Sequence, residues 1–497
     1  MPGNPWRRRL LLLYSLSSLL LSVAILVLYF RQPSQSDRAF VLGYSWLRLA
    51  LGLIPFVGAV FFLRLSVEIA RDRIPPWFRS PFGESYLERS VTLSVVLLYL
   101  IGAVLVWTRI ADKGGLFSDA IVRLFPLSLW LTIIAALSLL TKAVTASKAA
   151  ARDASTFTLF LLLLLLGAWV QVNVLPDIPS TTDDVYYTYL EGNRLAAGQN
   201  PYARILEEEY REDGKYPIYF GGFYLLSGLS QLAGLSSYEH WIIFWRSVFL
   251  LASLMIAWLM FYTSFMARQI PLAIFAPLFW LLNRWTLHIV HISDIDFLAL
   301  VFLVASLVLW RRNRWGFFLL YGLSLSIKQM AIFLLPLYMV WAWRERRRDA
   351  SIGFFLGNLL LIGAFPLLST APFLFWSAKG VVTSIMVSLT RAPVVIGRLH
   401  SVDAYMGWSG VLAKVPMLLS LLLSYTVCIR QRLNAAASAL LVMMVYAGLN
   451  AVYFPSHFIW VVPLVPLAFA GPLRGTSRTA SGPGLVAGAG EARGEGG

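Results

Sequence analysis

Long apolar runs separated by short polar junctions dominate the chain, and those at 10–30, 41–63, 91–107, 121–140 and 157–174 come close to the ~20 residues that carry a helix across a bilayer. The alternation continues through 241–266, 272–287, a run ending at 310, and then 315–343, 352–376, 405–427, 435–454 and 458–473. Such patterning predicts an all-α, polytopic membrane protein of about 12–14 passes. Residues 218–233 are apolar but Gly-rich and follow Pro217. A full crossing there would carry Arg268 to the outer face, so a re-entrant or surface-lying segment is expected instead.

Basic residues cluster at the ends of the runs and set a topology. Arg7, Arg8 and Arg9 precede the first run, Arg64, Arg71, Arg73 and Arg79 follow the second, and Lys142, Lys148 and Arg152 follow the fourth. The positive-inside rule then places both termini in the cytoplasm and the polar segment 176–215 on the extracytoplasmic side. The first run exceeds a signal-peptide core and lacks a small-residue cleavage pattern, which predicts an uncleaved span. The run 315–343 is basic at both ends, with Arg311, Arg312 and Arg314 before it and Arg344, Arg346, Arg347 and Arg348 after it. Two half-length helices meeting near Lys328 keep both clusters inside, whereas one straight helix does not. The loop 377–403, with Lys379, Arg391, Arg398 and His400, runs against the charge rule. Three parts follow: an accessory four-span bundle over 1–150, a second membrane domain over 151–475, and a Gly, Ala and Ser-rich tail over 476–497 that reads as disordered.

Composition narrows the class. With 58% hydrophobic and 13% charged residues, and a mean hydropathy of +0.71, the chain is no ordinary soluble domain. The net charge of +16 lies at the ends of apolar runs, as topology signals and lipid-headgroup contacts do, rather than on a nucleic-acid surface. A single cysteine, Cys428, excludes an internal disulfide and a Cys-rich metal site.

Chemistry concentrates in one polar loop. Thr181-Thr182-Asp183-Asp184-Val185-Tyr186-Tyr187 is followed by Gly198-Gln199-Asn200-Pro201-Tyr202-Ala203-Arg204 and closed by Lys215-Tyr216-Pro217. Residues 184–197 have the spacing of a short interfacial helix, ended by Gly198. Adjacent carboxylates repel, which raises one of the two toward a value suited to accepting a proton; the alternative is an acidic turn capping that helix. Lys328, at membrane depth between Ser326 and Gln329, is either a functional cation or half of a structural ion pair with Asp294 or Asp296. Arg391, Arg398 and His400 suit a phosphate, or equally an anionic headgroup, and His457 can add a donor. His288, His291, Asp294 and Asp296 lack a two-site metal-ligand spacing and are expected to hydrogen-bond substrate or to brace Lys328. No phosphate-binding Gly loop or nucleotide-sugar domain is present. A sugar donor carried on a membrane lipid suits an outward-facing site.

At these residues the sequence resembles the membrane-embedded GT-C glycosyltransferases that use polyprenyl-phosphate mannose, namely the bacterial family 87 mannosyltransferases and the catalytic subunit of GPI mannosyltransferase I. The first catalytic loop of that superfamily is similar to Thr182-Asp183-Asp184 with Tyr186 or Tyr187, Gly198 to Arg204, and Tyr216-Pro217. Gly322-Leu323 with Lys328 and Leu335-Pro336 is similar to a later hairpin, Tyr453-Phe454 with Trp460 and Pro463 to the last span, and Asp294-Ile295-Asp296 is a looser match. The similarity covers about 157–473. It departs in having Asp-Asp where several relatives have Asp-x-Asp, and in four spans before the loop. The resemblance implies a GT-C-like catalytic domain over 151–475 and a metal-independent, inverting transfer of a hexose, mannose favoured, to a lipid or glycan acceptor. It implies Asp183 or Asp184 as base and Tyr187, Tyr202, Arg204, Asp294, Asp296 and Lys328 as substrate contacts, to which the charge reading adds Arg391, Arg398, His400 and His457. No cofactor, metal or nucleic acid enters that chemistry, and the setting is a bacterial plasma membrane. A transporter or flippase for a lipid-linked sugar is the competing class, a non-catalytic scaffold subunit the third.

Overall fold

The computed structural model describes residues 5–31, 44–71, 149–176, 184–206, 217–310, 312–345, 351–390, 414–431, 433–450 and 455–470. The described residues are mainly helical, with no strand among them. Two helices, α1 (Pro5–Arg31) and α2 (Tyr44–Arg71), pack on each other, and Ser66 Oγ donates to Ser15 Oγ across their contact at 2.9 Å. The other two spans expected in the N-terminal bundle, 91–107 and 121–140, fall outside the described residues.

The rest assembles around one long helix. α3 (Ala149–Val174) leads to α4 (Asp184–Ala196), a 3-10 helix Pro201–Ile205, α5 (Gly222–Leu232) and the central α6 (Tyr238–Met266). α7 (Ile270–Leu282), α8 (Arg284–Ile292) and α9 (Asp296–Leu309) follow, and α3, α7 and α9 all pack on α6. α9 pairs with α10 (Arg314–Ile327), which rests on α12 (Ile352–Thr390). α11 (Leu335–Glu345), α13 (Val415–Arg430), α14 (Ala435–Leu449) and α15 (Leu464–Phe469) complete the order, with 3-10 turns at Gln329–Leu334 and Pro455–Trp460.

Among the described residues, three helices are long and apolar enough to cross a membrane, over Asp153–Val174, Tyr238–Met266 and Ile352–Met386, or four if α7 and α8 count as one bent span. Within the described residues, polar residues cut two of the runs into shorter helices. Asn283 is one such break. Its extended backbone ends α7, its side chain accepts from Trp285 N at 2.8 Å to start α8, and the two helices bend by 43°. The run 315–343 breaks at Lys328, whose φ of −150° and ψ of 116° leave the helix. Its halves fold back on each other: Tyr321 stacks on Tyr338 at 3.8 Å, and Phe317 on Tyr338 at 4.4 Å. Arg314 and Arg344 therefore share one end of the hairpin. The segment 218–233 holds a helix of 11 residues, α5, far short of a bilayer's thickness.

Leucine and phenylalanine side chains point outward over much of α12 and α13; Phe375 is 90% exposed and Leu423 66%. On helices of this hydropathy, such faces suit lipid.

Candidate active site

Two helix ends meet at Lys328. Ser293 closes α8 in the left-handed conformation (φ 57°, ψ 42°), and the chain reverses at once into α9, whose first residue is Asp296. A carboxylate at a helix N-terminus is favoured by the unpaired N–H groups there. The turn brings Asp294 and Asp296 to the Lys328 ammonium, which lies 2.8 Å from Asp296 Oδ1 and 3.3 Å from Asp294 Oδ1. Trp460 Nε1, from the last 3-10 turn, donates to Asp296 Oδ1 at 3.0 Å. None of the three charged side chains is more than 6% exposed. Charge removed this far from water survives only when paired, and here one ammonium faces two carboxylates.

The catalytic-loop candidates join this cluster through a tyrosine. Lys328 Nζ sits 5.3 Å from the centre of the Tyr219 ring, and Tyr219 donates its hydroxyl proton to Asp184 Oδ2 at 3.1 Å. Asp184 opens α4, which presents Val185, Thr188, Glu191 and Gly192 to the interior on one face. Ser227 Oγ of α5 donates to Thr188 O at 2.9 Å and Gln231 Nε2 to Tyr189 O at 2.8 Å, fixing α4 on α5. Gly222, at the start of α5, meets Ser326 of α10 so closely that no side chain fits between them. These contacts fix how far Asp184 stands from the hairpin tip.

A supporting layer lies behind. Asn200 caps the 3-10 helix by accepting from Tyr202 N at 3.0 Å, Pro201 supplies its first residue, and the buried Tyr202 hydroxyl donates to Tyr219 O at 2.5 Å. Burial foremost, with Tyr224 and Glu191 nearby, pushes the Tyr202 phenol well above its ordinary value, so it stays a neutral donor. Gln329 Nε2 donates to Ile218 O at 2.6 Å, tying the hairpin tip to the same strip of chain. His457 is buried, its ring 5.4 Å from that of Tyr446.

The remaining candidates divide. Arg204 is buried and pairs with Glu191 at 2.7 Å, which makes it part of the scaffold that seats α4. Tyr187 is partly buried, its ring edge-on to Tyr186 at 5.9 Å. Asp183, Arg391, Arg398 and His400 fall outside the described residues. His291 takes no part in the cluster: it is exposed, and its Nδ1 lies 3.0 Å from Val174 O. Tyr219 is the residue that pattern reading passes over. It sits in an apolar stretch just after Pro217, where a tyrosine looks like an interfacial anchor.

Scanning family models, curated proteins and solved structures finds no match to this chain.

Proposed function

We propose that this chain is a multi-pass glycosyltransferase of GT-C type that moves a hexose, mannose first, from a polyprenyl phosphate carrier to a lipid or glycan acceptor. The site faces the extracytoplasmic side of a bacterial plasma membrane, with both termini in the cytoplasm and about 12–14 passes in all. One observation carries the reading: Asp184, from the polar loop after α3, and Lys328, from the tip of a broken hairpin, meet at Tyr219, the first at its hydroxyl and the second over its ring. Polar groups from distant parts of an apolar chain converge where ionisable residues are expensive to bury, which is the mark of a functional site.

In the reaction, the acceptor oxygen attacks the sugar's anomeric carbon as the bond from that carbon to the carrier phosphate breaks. The acceptor's proton passes to the Asp183 or Asp184 carboxylate, and the polyprenyl phosphate leaves with the bonding pair. Tyr219 orients Asp184 by donating to its Oδ2. Lys328 arrives with its charge already matched by Asp294 and Asp296. The phosphate's own charge therefore falls chiefly to Arg391, Arg398 and His400, with Lys328 and His457 shaping the pocket beside it.

Purified protein in liposomes, given labelled polyprenyl phosphate hexose and an acceptor extract, forms product on this reading. Removing a general base lowers rate by about 10²–10⁴, so Asp183→Asn or Asp184→Asn silences transfer at unchanged membrane expression. Full activity in both variants refutes the assignment. The bent α7–α8 pair and the Lys328 break also suit a carrier of lipid-linked sugar. Movement between leaflets without bond exchange, in the same liposomes, would select that reading.

A further inference from the structure

Two carboxylates compete for one ammonium at the hairpin tip, and they do not share it equally. Lys328 Nζ lies 2.8 Å from Asp296 Oδ1, the length of a charge-assisted hydrogen bond, but 3.3 and 3.4 Å from the two oxygens of Asp294. Asp296 differs from Asp294 in one further partner. Trp460 Nε1 donates to the same Oδ1 at 3.0 Å, and no second side-chain donor reaches Asp294 among the described residues. The indole is seated independently of the acid it serves. It is fully buried at the end of the Pro455–Trp460 turn, where Phe458 stacks on Trp285 of α8 at 5.0 Å and Val461 N and Val462 N both donate to Phe458 O. The carboxylate is the softer partner, because the terminal torsion of an aspartate has broad wells and follows whatever donors it meets.

We propose that Trp460 is a positioning residue of the site. By fixing Asp296 Oδ1 it decides which acid holds the Lys328 ammonium, and so where that charge stands against the Tyr219 ring, whose hydroxyl donates to Asp184. Without the indole N–H the ammonium settles between the two acids, and its 5.3 Å contact with the ring changes. That contact is near the ~6 Å limit of a cation–π attraction, so a small displacement is felt. The effect on transfer rests on the sugar-transfer reading, whereas the displacement of the ammonium does not. Trp280 supplies the comparison: it is equally buried and packs on Phe297, the residue after Asp296, but its Nε1 donates to Ser253 O at 2.9 Å.

Full-length protein in nanodiscs, with a ring-fluorinated tyrosine in place of Tyr219, reports the ammonium through its fluorine resonance. Trp460→Phe moves that resonance by more than its linewidth, and Trp280→Phe leaves it in place. In liposomes, without the label, Trp460→Phe lowers kcat about tenfold with KM for the polyprenyl phosphate hexose unchanged, as expected when a hydrogen bond to a charged group of the site is lost. Trp280→Phe changes neither constant. An unmoved resonance in Trp460→Phe, an equal movement in both variants, or an unchanged kcat in an active enzyme overturns the proposal. Absence of transfer by the wild type sinks the sugar-transfer reading instead, and the fluorine result then decides by itself. Should Trp460→Phe fail to fold, benzothienylalanine introduced at 460 through a second reassigned codon keeps the indole outline without its N–H and carries the same expectations.

Discussion

Replacing Lys328 by methionine keeps most of the side-chain volume and strands two carboxylates in the interior. Asp294 and Asp296 face Lys328 with side-chain exposures of 6% and 2%, and the only other donor to either among the described residues is Trp460 Nε1, on Asp296 Oδ1. Removing one partner of a buried pair costs about 3–5 kcal/mol, because the charge left behind must stay unpaired or take up a proton. Asp296→Asn is the control. It leaves the Lys328–Asp294 pair in place and lets an amide oxygen still accept from Trp460, so its cost is that of a weakened hydrogen bond, about 1–3 kcal/mol. The triple variant Lys328→Met, Asp294→Asn, Asp296→Asn removes all the charge and recovers part of the loss. Equilibrium unfolding in mixed micelles of increasing denaturing detergent measures the order directly. If Lys328→Met unfolds no more easily than Asp296→Asn, the ammonium is not what neutralises this cluster, and the charge assignment at the site fails with it.

Other perturbations separate the layers of the site. Tyr219→Phe deletes the donor to Asp184 Oδ2 and keeps the ring beneath Lys328, so transfer in liposomes falls while the unfolding midpoint moves by only about 1 kcal/mol equivalent. Glu191→Gln leaves Arg204 buried opposite an amide, and the variant loses a few kcal/mol of stability, on the order of 3, as read by the same unfolding assay. For topology, single cysteines at Glu239 and Gln269 in a Cys428→Ala background stand at opposite ends of α6. An impermeant thiol reagent should label the first from outside and the second only after permeabilisation, and labelling of both from one side would invert the reading of the polar loop.

Some of this was legible before any coordinates. The doubly basic flanks of 315–343 already require a reversal, and the serines around Lys328 mark where a polar residue interrupts the run. The hairpin's aromatic stacking is the packing counterpart of that charge pattern. The bend at Asn283 escaped, since the run 272–287 reads as one span; the asparagine's capping role shows only when its side chain turns back on Trp285 N. Arg204 reads as a ligand contact because nothing in the order of residues reveals that the loop folds over and presents Glu191 to it. Tyr219 carries no mark either, for a phenol that faces lipid headgroups and one that bridges two charged groups look alike in a string of apolar letters. The helix breaks inside apolar runs are the clearest difference, and their cause is physical. Hydropathy averages over a window, whereas one capping asparagine or one extended lysine is enough to end a helix.

The ion pair at the hairpin tip also constrains how the protein is made. Asp294 leaves the ribosome 34 residues ahead of Lys328. Entering the bilayer alone, an aspartate or a lysine at mid-helix pays about 2.5–3.5 kcal/mol. The α8–α9 turn should therefore stay at the membrane surface until α10 arrives with the opposite charge, so the two segments insert as one step of biogenesis, and a chain truncated before residue 328 would leave its acids waiting in water.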